Sequence, residues 1–490
     1  MTAPHVLILV LGDAGRSPRM QYHALSLLQS GCDVTLCGYG GNRLIEPLEQ
    51  QIERGSSPSP FFTFCPLPPH PKHPIFNAIK PLKAVFQFLA LLAVLLFRRP
   101  RPDVLLLQIP PAIPTMLTAL FVCSVRRTRL VFDWHNFGHT LMPAGPLQAL
   151  AKVYETFLAP LADANLCVTK AMQGVLKGAY RGTRATVFYD RPKADVFAGR
   201  TGPREGAVLL GKLMEGEGSI GEFDASCVCV RTCLEGIVER MEASRGVTTS
   251  GIVSKAGGLS PGCKITARSA PGGSVRRRTT TMKMKTTALQ DTKRKNDAVL
   301  LVSSTSWTWD EDFSILLEGM VEYDARATKD PALPAVLLYV TGKGPLKQHY
   351  SEKIADLELS HVAIRTAWLE PADYPRLLGC ADLGVSLHAS SSGVDLPMKI
   401  VDMFGAQTPV AALAYTCLAD EMVTEGENGV VFATATELCD KLVRLLQDDW
   451  AELKRMQRYV CKHGYGDWDD EWNRKAKDVI LGSGVVIRPV

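Results

Sequence analysis

The sequence predicts two doubly wound α/β domains, Rossmann-like in pattern and facing a shared cleft, with a low-complexity insertion between them. Three observations carry this. Short unbroken apolar runs alternate with helical patterns through the first part of the chain. The same rhythm restarts near residue 298, and the stretch between the two has almost no periodicity. Unbroken apolar strands separated by helices indicate a parallel sheet covered on both faces.

In the first domain the strands read HVLILVLG, CDVTLCGYG, RPDVLLLQIP, RLVFDWHNF, ANLCVTK and ATVFYD, with PRMQYHALSLLQS as the first helix. In the second they read AVLLVSST, AVLLYVTG, HVAIRTAW, LGVSLHA, PVAALAY and GVVFA. Boundaries follow at 1–198, 298–450 and a helical tail at 451–490. The carboxyl ends of such sheets are where ligands bind in this architecture. Residues 199–297 are rich in Gly, Ser and Thr, and Lys264 to Lys295 is strongly basic, so this stretch is expected to be a disordered insertion or linker. It has no interleaved aromatics to stack single-stranded bases, and nucleic acid is not expected as a partner. Its cysteines, Cys227, Cys229, Cys233 and Cys263, have no zinc-module spacing.

The chain has 490 residues, 46% hydrophobic and 21% charged, which suits a folded protein of more than one core. A net charge of +5 does not by itself imply nucleic acid. Thirteen cysteines without paired spacing argue against a disulfide framework and for a reducing compartment. The N-terminal apolar run lacks a charged flank and reads as a strand rather than a signal peptide. Ala84 to Phe97 is shorter than the roughly 20 residues of a spanning helix. Lys80, Lys83, Arg98, Arg99 and Arg101 flank it and suit a helix lying in an anionic membrane interface; a helix packed on the sheet has the same periodicity.

Chemistry concentrates in strand-to-helix turns. HASSSGVDLPMKIVDMFG, residues 388–405, places a serine-glycine loop before a helix that opens at Pro397. Free amides, the positive end of a helix dipole and Lys399 in the first turn make this an anion site that fits a diphosphate. Ser391, Ser392 and Gly393 belong to it; Asp395 or Ser392 is equally a helix cap. In YVTGKGPLKQHY, Gly342 and Gly344 form a second turn, with a helix from Pro345, that can let a nucleotide approach the backbone. In LGDAGRSPRMQYH, Ser17 is the expected N-cap and Pro18 the first helical residue. Asp13, with Asp133 and His135 of VFDWHNFGH, stands at a strand end where a general base is useful, although each also suits a cap or a buried hydrogen-bonding role. The acids of WTWDEDF and GDWDDEW are expected to be surface turns or helix starts, without metal.

Taken together, GDAGRSPRMQYHALSLLQSGCDVTLCGY, LVFDWHNFGHTLM, LLVSSTSWTWDEDFSILLEGM, VTGKGPLKQHY and SSSGVDLPMKIVDMFG resemble the chitobiosyldiphosphodolichol β-mannosyltransferase family over most of residues 5–195 and 298–435. The resemblance implies the GT-B fold and an inverting enzyme. It implies GDP-mannose as donor (a co-substrate, with no cofactor) and dolichol-diphosphate-linked chitobiose as acceptor. It also implies the cytosolic face of the endoplasmic reticulum membrane, where other lipid-linked-oligosaccharide transferases are among the partners it allows. Many members begin with a membrane anchor; here the first strand starts almost at once, leaving 84–97 as the expected membrane contact. Residues 199–297 do not resemble the family and are either a lineage insertion or a mistranslated intron.

On this reading Ser391, Ser392, Gly393 and Lys399 hold the diphosphate, and Asp402, one turn on, stands where related transferases place an acid near the donor. Asp13, then His135 and Asp133, are the candidate bases. Other readings stay open: a retaining lipid-linked-oligosaccharide transferase of the same fold, a non-catalytic membrane-associated subunit, or a nucleic-acid-binding protein that uses the basic insertion.

Overall fold

The computed structural model describes residues 3–54, 60–69, 80–97, 100–197, 199–214, 237 and 298–482. The first sheet contains β1 (His5–Asp13), β2 (Asp33–Tyr39), β3 (Phe62–Pro66), β4 (Val104–Ile109), β5 (Arg129–Trp134), β6 (Ala164–Cys167) and β7 (Thr186–Val187), in the order β3-β2-β1-β4-β5-β6-β7. The second contains β8 (Ala298–Ser304), β9 (Ala335–Thr341), β10 (Val362–Ala367), β11 (Leu383–Ser386), β12 (Val410–Leu413) and β13 (Gly429–Phe432), in the order β10-β9-β8-β11-β12-β13. All pairings are parallel: Val6 lies between Val34 and Val104, and Val302 pairs with Tyr339 and Gly384.

The unbroken apolar strands are explained by two cores per sheet. Alternate side chains of a strand point to opposite faces. Leu7, Leu9 and Leu11 of β1 therefore enter one core with Leu91, Leu95 and Met116, while Val6, Ile8 and Val10 enter another with Met20, Leu27, Trp468 and Trp472. Strand order reverses between β1 and β4 and between β8 and β11, so the loops after these strands diverge and open a crevice at each sheet's carboxyl edge.

Several boundaries differ from the expectation. Helix Pro203–Met214 lies inside the stretch assigned to the insertion, yet Leu209 and Leu210 are buried in the second domain's core, and Thr201 donates from its N to Gly379 O (3.2 Å) and from its hydroxyl to Arg376 O (2.6 Å). Ile237 is buried in the same core, and the remaining insertion residues, with their cysteines and basic run, lie outside the described residues. The tail also divides. Ala451–His463 packs on the second domain through Leu453 and Met456, whereas Trp468 and Trp472 return to the first. Their indoles donate to Ser26 Oγ (2.9 Å) and His23 Nδ1 (3.0 Å). GDWDDEW is thus a helix start, with Asp467 accepting from Asp469 N and Asp470 N, but its tryptophans are core.

Helix Lys80–Phe97 buries Leu91 and Leu95 beside helix Thr115–Arg126 and leaves Val85, Leu89 and Phe97 exposed. Among the described residues no helix is long and apolar enough to cross a membrane. Of the flanking basic residues, Arg101 is exposed and donates to Arg127 O (3.3 Å); the side chains of the other four lie outside the described set.

Candidate active site

The first domain's contribution starts at β5. Its last residues bring Asp133 to the sheet's carboxyl end, fully buried, where a bare carboxylate would be costly. Arg19, from the first turn of helix Pro18–Gln29, donates to it twice (Nε to Oδ2 2.8 Å, Nη2 to Oδ1 2.9 Å) and once to Asp190 (2.8 Å). Burial acts to raise the pKa of Asp133, but Arg19 and His135 outweigh it and hold it well below the usual carboxylate range. Burial acts to lower that of Arg19, and the two carboxylates override it. His23 Nε2 lies 3.3 Å from Asp133 Oδ2 but off the hydrogen-bonding direction, and burial pushes the pKa of this histidine down. Asp133 is therefore held as a buried, paired anion, a structural role rather than the free base position expected at this strand end.

His135, half-buried, places Nε2 2.9 Å from Asp133 Oδ2. With the proton on Nε2, the Asp133 carboxylate accepts and the Nδ1 lone pair is left available. Asp13 is occupied differently. It accepts from Gly15 N (3.0 Å), from Asn42 N (3.1 and 3.2 Å) and from the Asn42 amide, clamping loop 40–42 across the end of β1. Here it acts as a helix cap and loop clamp, the alternative role expected of it. Ser17, unlike Asp13, does not cap with its side chain; its hydroxyl donates to Gln108 Oε1 (2.5 Å) across the β1/β4 switch point.

In the second domain, the serine loop after β11 is organised by Asp395. That carboxylate receives Ser390 Oγ, Ser392 Oγ (3.1 Å) and His388 Nε2 (3.2 Å), and Ser390 Oγ in turn accepts from Gly393 N (2.7 Å). Burial works to raise the pKa of Asp395, and these bonds hold it lower. Asp395 thus shapes the loop from within, its carboxylate spent on His388, Ser390 and Ser392. Gly393 has φ +74°, the left-handed region that favours glycine, and no atom lies within 4 Å of where a Cβ would stand. Helix Met398–Gly405 begins one residue later than expected, with Pro397 as its N-cap, leaving the Met398 and Lys399 amides at its open end. Lys399 pairs with Glu311.

Gly342 and Gly344 allow a close approach, but to protein. A Cβ at either would stand 1.8 Å from a carbonyl oxygen, that of Thr305 or of Ser306. Their turn backs onto the loop after β8, and the helix that follows starts at Lys347. Asp402 sits at the floor of the crevice, accepting from Tyr374 OH (3.2 Å), which itself meets Ser304 Oγ (3.2 Å). Burial drives its pKa to about 7; the Asp190 charge adds to this, and Tyr374 and Lys399 oppose it.

The two domains meet at these loops. Asn136 Nδ2 donates to Ser391 Oγ (3.2 Å), Thr140 Oγ1 lies 3.2 Å from the same oxygen, and Thr169 Oγ1 donates to Val394 O (2.5 Å). Glu421 accepts from Lys170 N (2.8 Å), Ala171 N (2.7 Å) and Tyr189 OH (2.6 Å), capping a helix of the opposite domain. His135 therefore stands one residue from a group touching the serine loop. Among the described residues no cluster is suited to a metal ion.

Residues 14–188 match the glycosyl transferase 4-like domain and 286–463 the glycosyl transferases group 1 domain. The chitobiosyldiphosphodolichol beta-mannosyltransferase of Mus musculus is 35% identical, covering 99% of this chain and 91% of the relative. The chain belongs to this glycosyltransferase family. Another relative, the UDP-glycosyltransferase TURAN of Arabidopsis thaliana, is 36% identical over 96% of each chain. A glycosyltransferase structure from Rickettsia africae, 12% identical, superposes with a TM-score of 0.53 over 99% of this chain and 100% of that one, and shows the GT-B fold in common.

Glu311, Asn136, Thr140, Tyr374 and Arg19 were not legible as site residues. WTWDEDF did flag Glu311 as one of several acids, and NFGHT holds both Asn136 and Thr140; nothing local distinguishes them from capping residues.

Proposed function

We propose that this protein transfers mannose from GDP-mannose to dolichol-diphosphate-linked chitobiose, forming a β-1,4 linkage with inversion at the cytosolic face of the endoplasmic reticulum. The observation that carries the reading is the meeting of Asn136 and Thr140 with Ser391, which brings an oriented histidine beside an anion loop in a chain of this family. The Ser391–Gly393 loop, the amides of Met398 and Lys399 and the Lys399 ammonium take the donor diphosphate, where negative charge grows as the glycosidic C–O bond breaks. The acceptor 4-hydroxyl attacks the anomeric carbon from the opposite face; its proton passes to His135 Nδ1, and GDP leaves with the bonding electrons. Asp133 orients the imidazole.

An exposed apolar face on the first domain supports delivery of the acceptor from a bilayer. Leu89 of helix Lys80–Phe97, Phe121 and Val125 of Thr115–Arg126, and Leu147, Leu150 and Phe157 of Pro146–Leu158 are each more than half exposed on helices that pack side by side. Apolar side chains of this kind suit burial in a headgroup region.

The experiment is direct. Purified protein is incubated with sugar-labelled GDP-mannose and lipid-linked chitobiose, and the linkage of the product is determined, with UDP-sugars in parallel. A β-1,4 mannosyl product supports the reading. Transfer from a UDP-sugar alone, or an α-linked product, would overturn it.

A further inference from the structure

The loop after β8 contains a buried acid that the mechanism above does not use. Glu311 is 4% exposed. Its Oε2 accepts from Ser306 N (2.8 Å) and Thr305 Oγ1 (2.5 Å), and its Oε1 takes the Lys399 ammonium. Thr305 Oγ1 also accepts from Trp307 N (2.9 Å), and Thr305 N donates to Thr341 O (2.9 Å) at the end of β9. Gly342 and Gly344 then press against the carbonyls of Thr305 and Ser306 with no room for a side chain. The pieces form one support running from the glycine turn, through the β8 loop, to Glu311 and Lys399. It stands at the β8/β11 switch point of this sheet.

We infer that Glu311 is a positioning residue for donor binding: it fixes the Lys399 ammonium over the helix N-terminus so that its two remaining N–H groups meet the diphosphate. The inference rests on the diphosphate reading of Lys399. A buried carboxylate needs a cation, and Lys399 is the one paired with it among the described residues. A lysine side chain left free would lose rotamer freedom on each binding event; held by Glu311, it has already lost it. A purely structural Glu311 would be satisfied by the Ser306 and Thr305 donors and would have no effect specific to the donor.

The test uses the full-length enzyme with GDP-mannose and lipid-linked chitobiose. Glu311→Gln is expected to raise the KM for GDP-mannose about tenfold, while kcat and the acceptor KM stay within about twofold. In a Lys399→Ala background the same change should add less than about twofold, because both act through one ammonium. Thr305→Val, which removes one donor to Glu311 and leaves the ion pair, should give the same pattern at about threefold, and it serves if Glu311→Gln does not fold. Additive effects in the double variant, or equal losses in kcat and both KM values, would overturn the positioning role alone. A Lys399→Ala enzyme with an unchanged donor KM would overturn the diphosphate reading and this inference with it.

Discussion

The two halves of the site each bury a carboxylate and satisfy it in opposite ways. In the first domain Asp133 is met by a guanidinium bound through two nitrogens and by a histidine, and the cluster is closed to solvent except at His135. In the second, Asp395 is met by two hydroxyls and an imidazole, and the loop it organises keeps Ser391 exposed and Gly393 under open space. The first arrangement is a rigid mount that presents one basic nitrogen. The second is a neutral-lined cradle that can accept an anion because its own negative charge is turned inward. A displacement reaction needs this asymmetry: a fixed base on the acceptor side and spare donors on the leaving-group side.

The strongest way to break the comparison is to remove the mount's cation. Arg19→Met leaves Asp133 and Asp190 without their shared partner, and unfolding stability should fall by about 3–5 kcal/mol, read from denaturant midpoints. A loss under about 1 kcal/mol would mean that the guanidinium is not what holds the cluster. Within the same cluster His135→Gln should leave GDP binding intact and lower turnover by about a hundredfold or more. Retained activity would return the base to Asp13, despite the loop donors that occupy it.

The same asymmetry explains how much could be read in the sequence. The partners of the Asp395 carboxylate all lie within seven residues of it, and the serine loop was recognisable as an anion site from its own letters. Arg19 is 114 residues from Asp133, and Glu311 is 88 from Lys399. Such pairs are made by strand order, which puts β4 between β1 and β5 and sets β8 beside β11. Apolar runs reveal that a parallel sheet exists, but not which loop will face which. For the same reason Asp13, Asp133 and His135 looked equivalent at their strand ends, and the two tryptophans of GDWDDEW looked like parts of a surface turn.

Asp402 sharpens the comparison from the second domain, since it is an acid with no ion pair among the described residues and only the more distant Lys399 charge to favour its ionised form. With a folded pKa near 7 against an ordinary 3.8, the folded state binds its proton more tightly than the unfolded state does. Between these values rising pH therefore reduces stability: the penalty is absent below the unfolded pKa and fully present above about 7. Asp402→Asn should remove it, so the variant gains on the native protein by about 4 kcal/mol at pH 8 and shows almost no gain at pH 4. Parallel stability curves for the two proteins would show that the Tyr374 hydroxyl already compensates the charge.

The smallest effect separates two kinds of glycine that the sequence treated alike. At Gly344 the obstacle is space: a methyl group would stand 1.8 Å from Ser306 O, so Gly344→Ala must push the β8 loop away and disturb Glu311 and Lys399 behind it. At Gly393 the obstacle is conformation alone, φ +74° with nothing near the added carbon. An alanine held in the left-handed region costs about 1–2 kcal/mol, so Gly393→Ala should lower stability by about that much and leave the β8 loop where it is. Its methyl group would nevertheless project into the open side of the cradle. If a diphosphate occupies that space, the KM for GDP-mannose rises by more than the modest stability loss accounts for, in a protein that is still folded. If the donor KM is unchanged, the space above Gly393 is not where the donor lies, and the cradle serves only to join the domains through Ser391 and Val394.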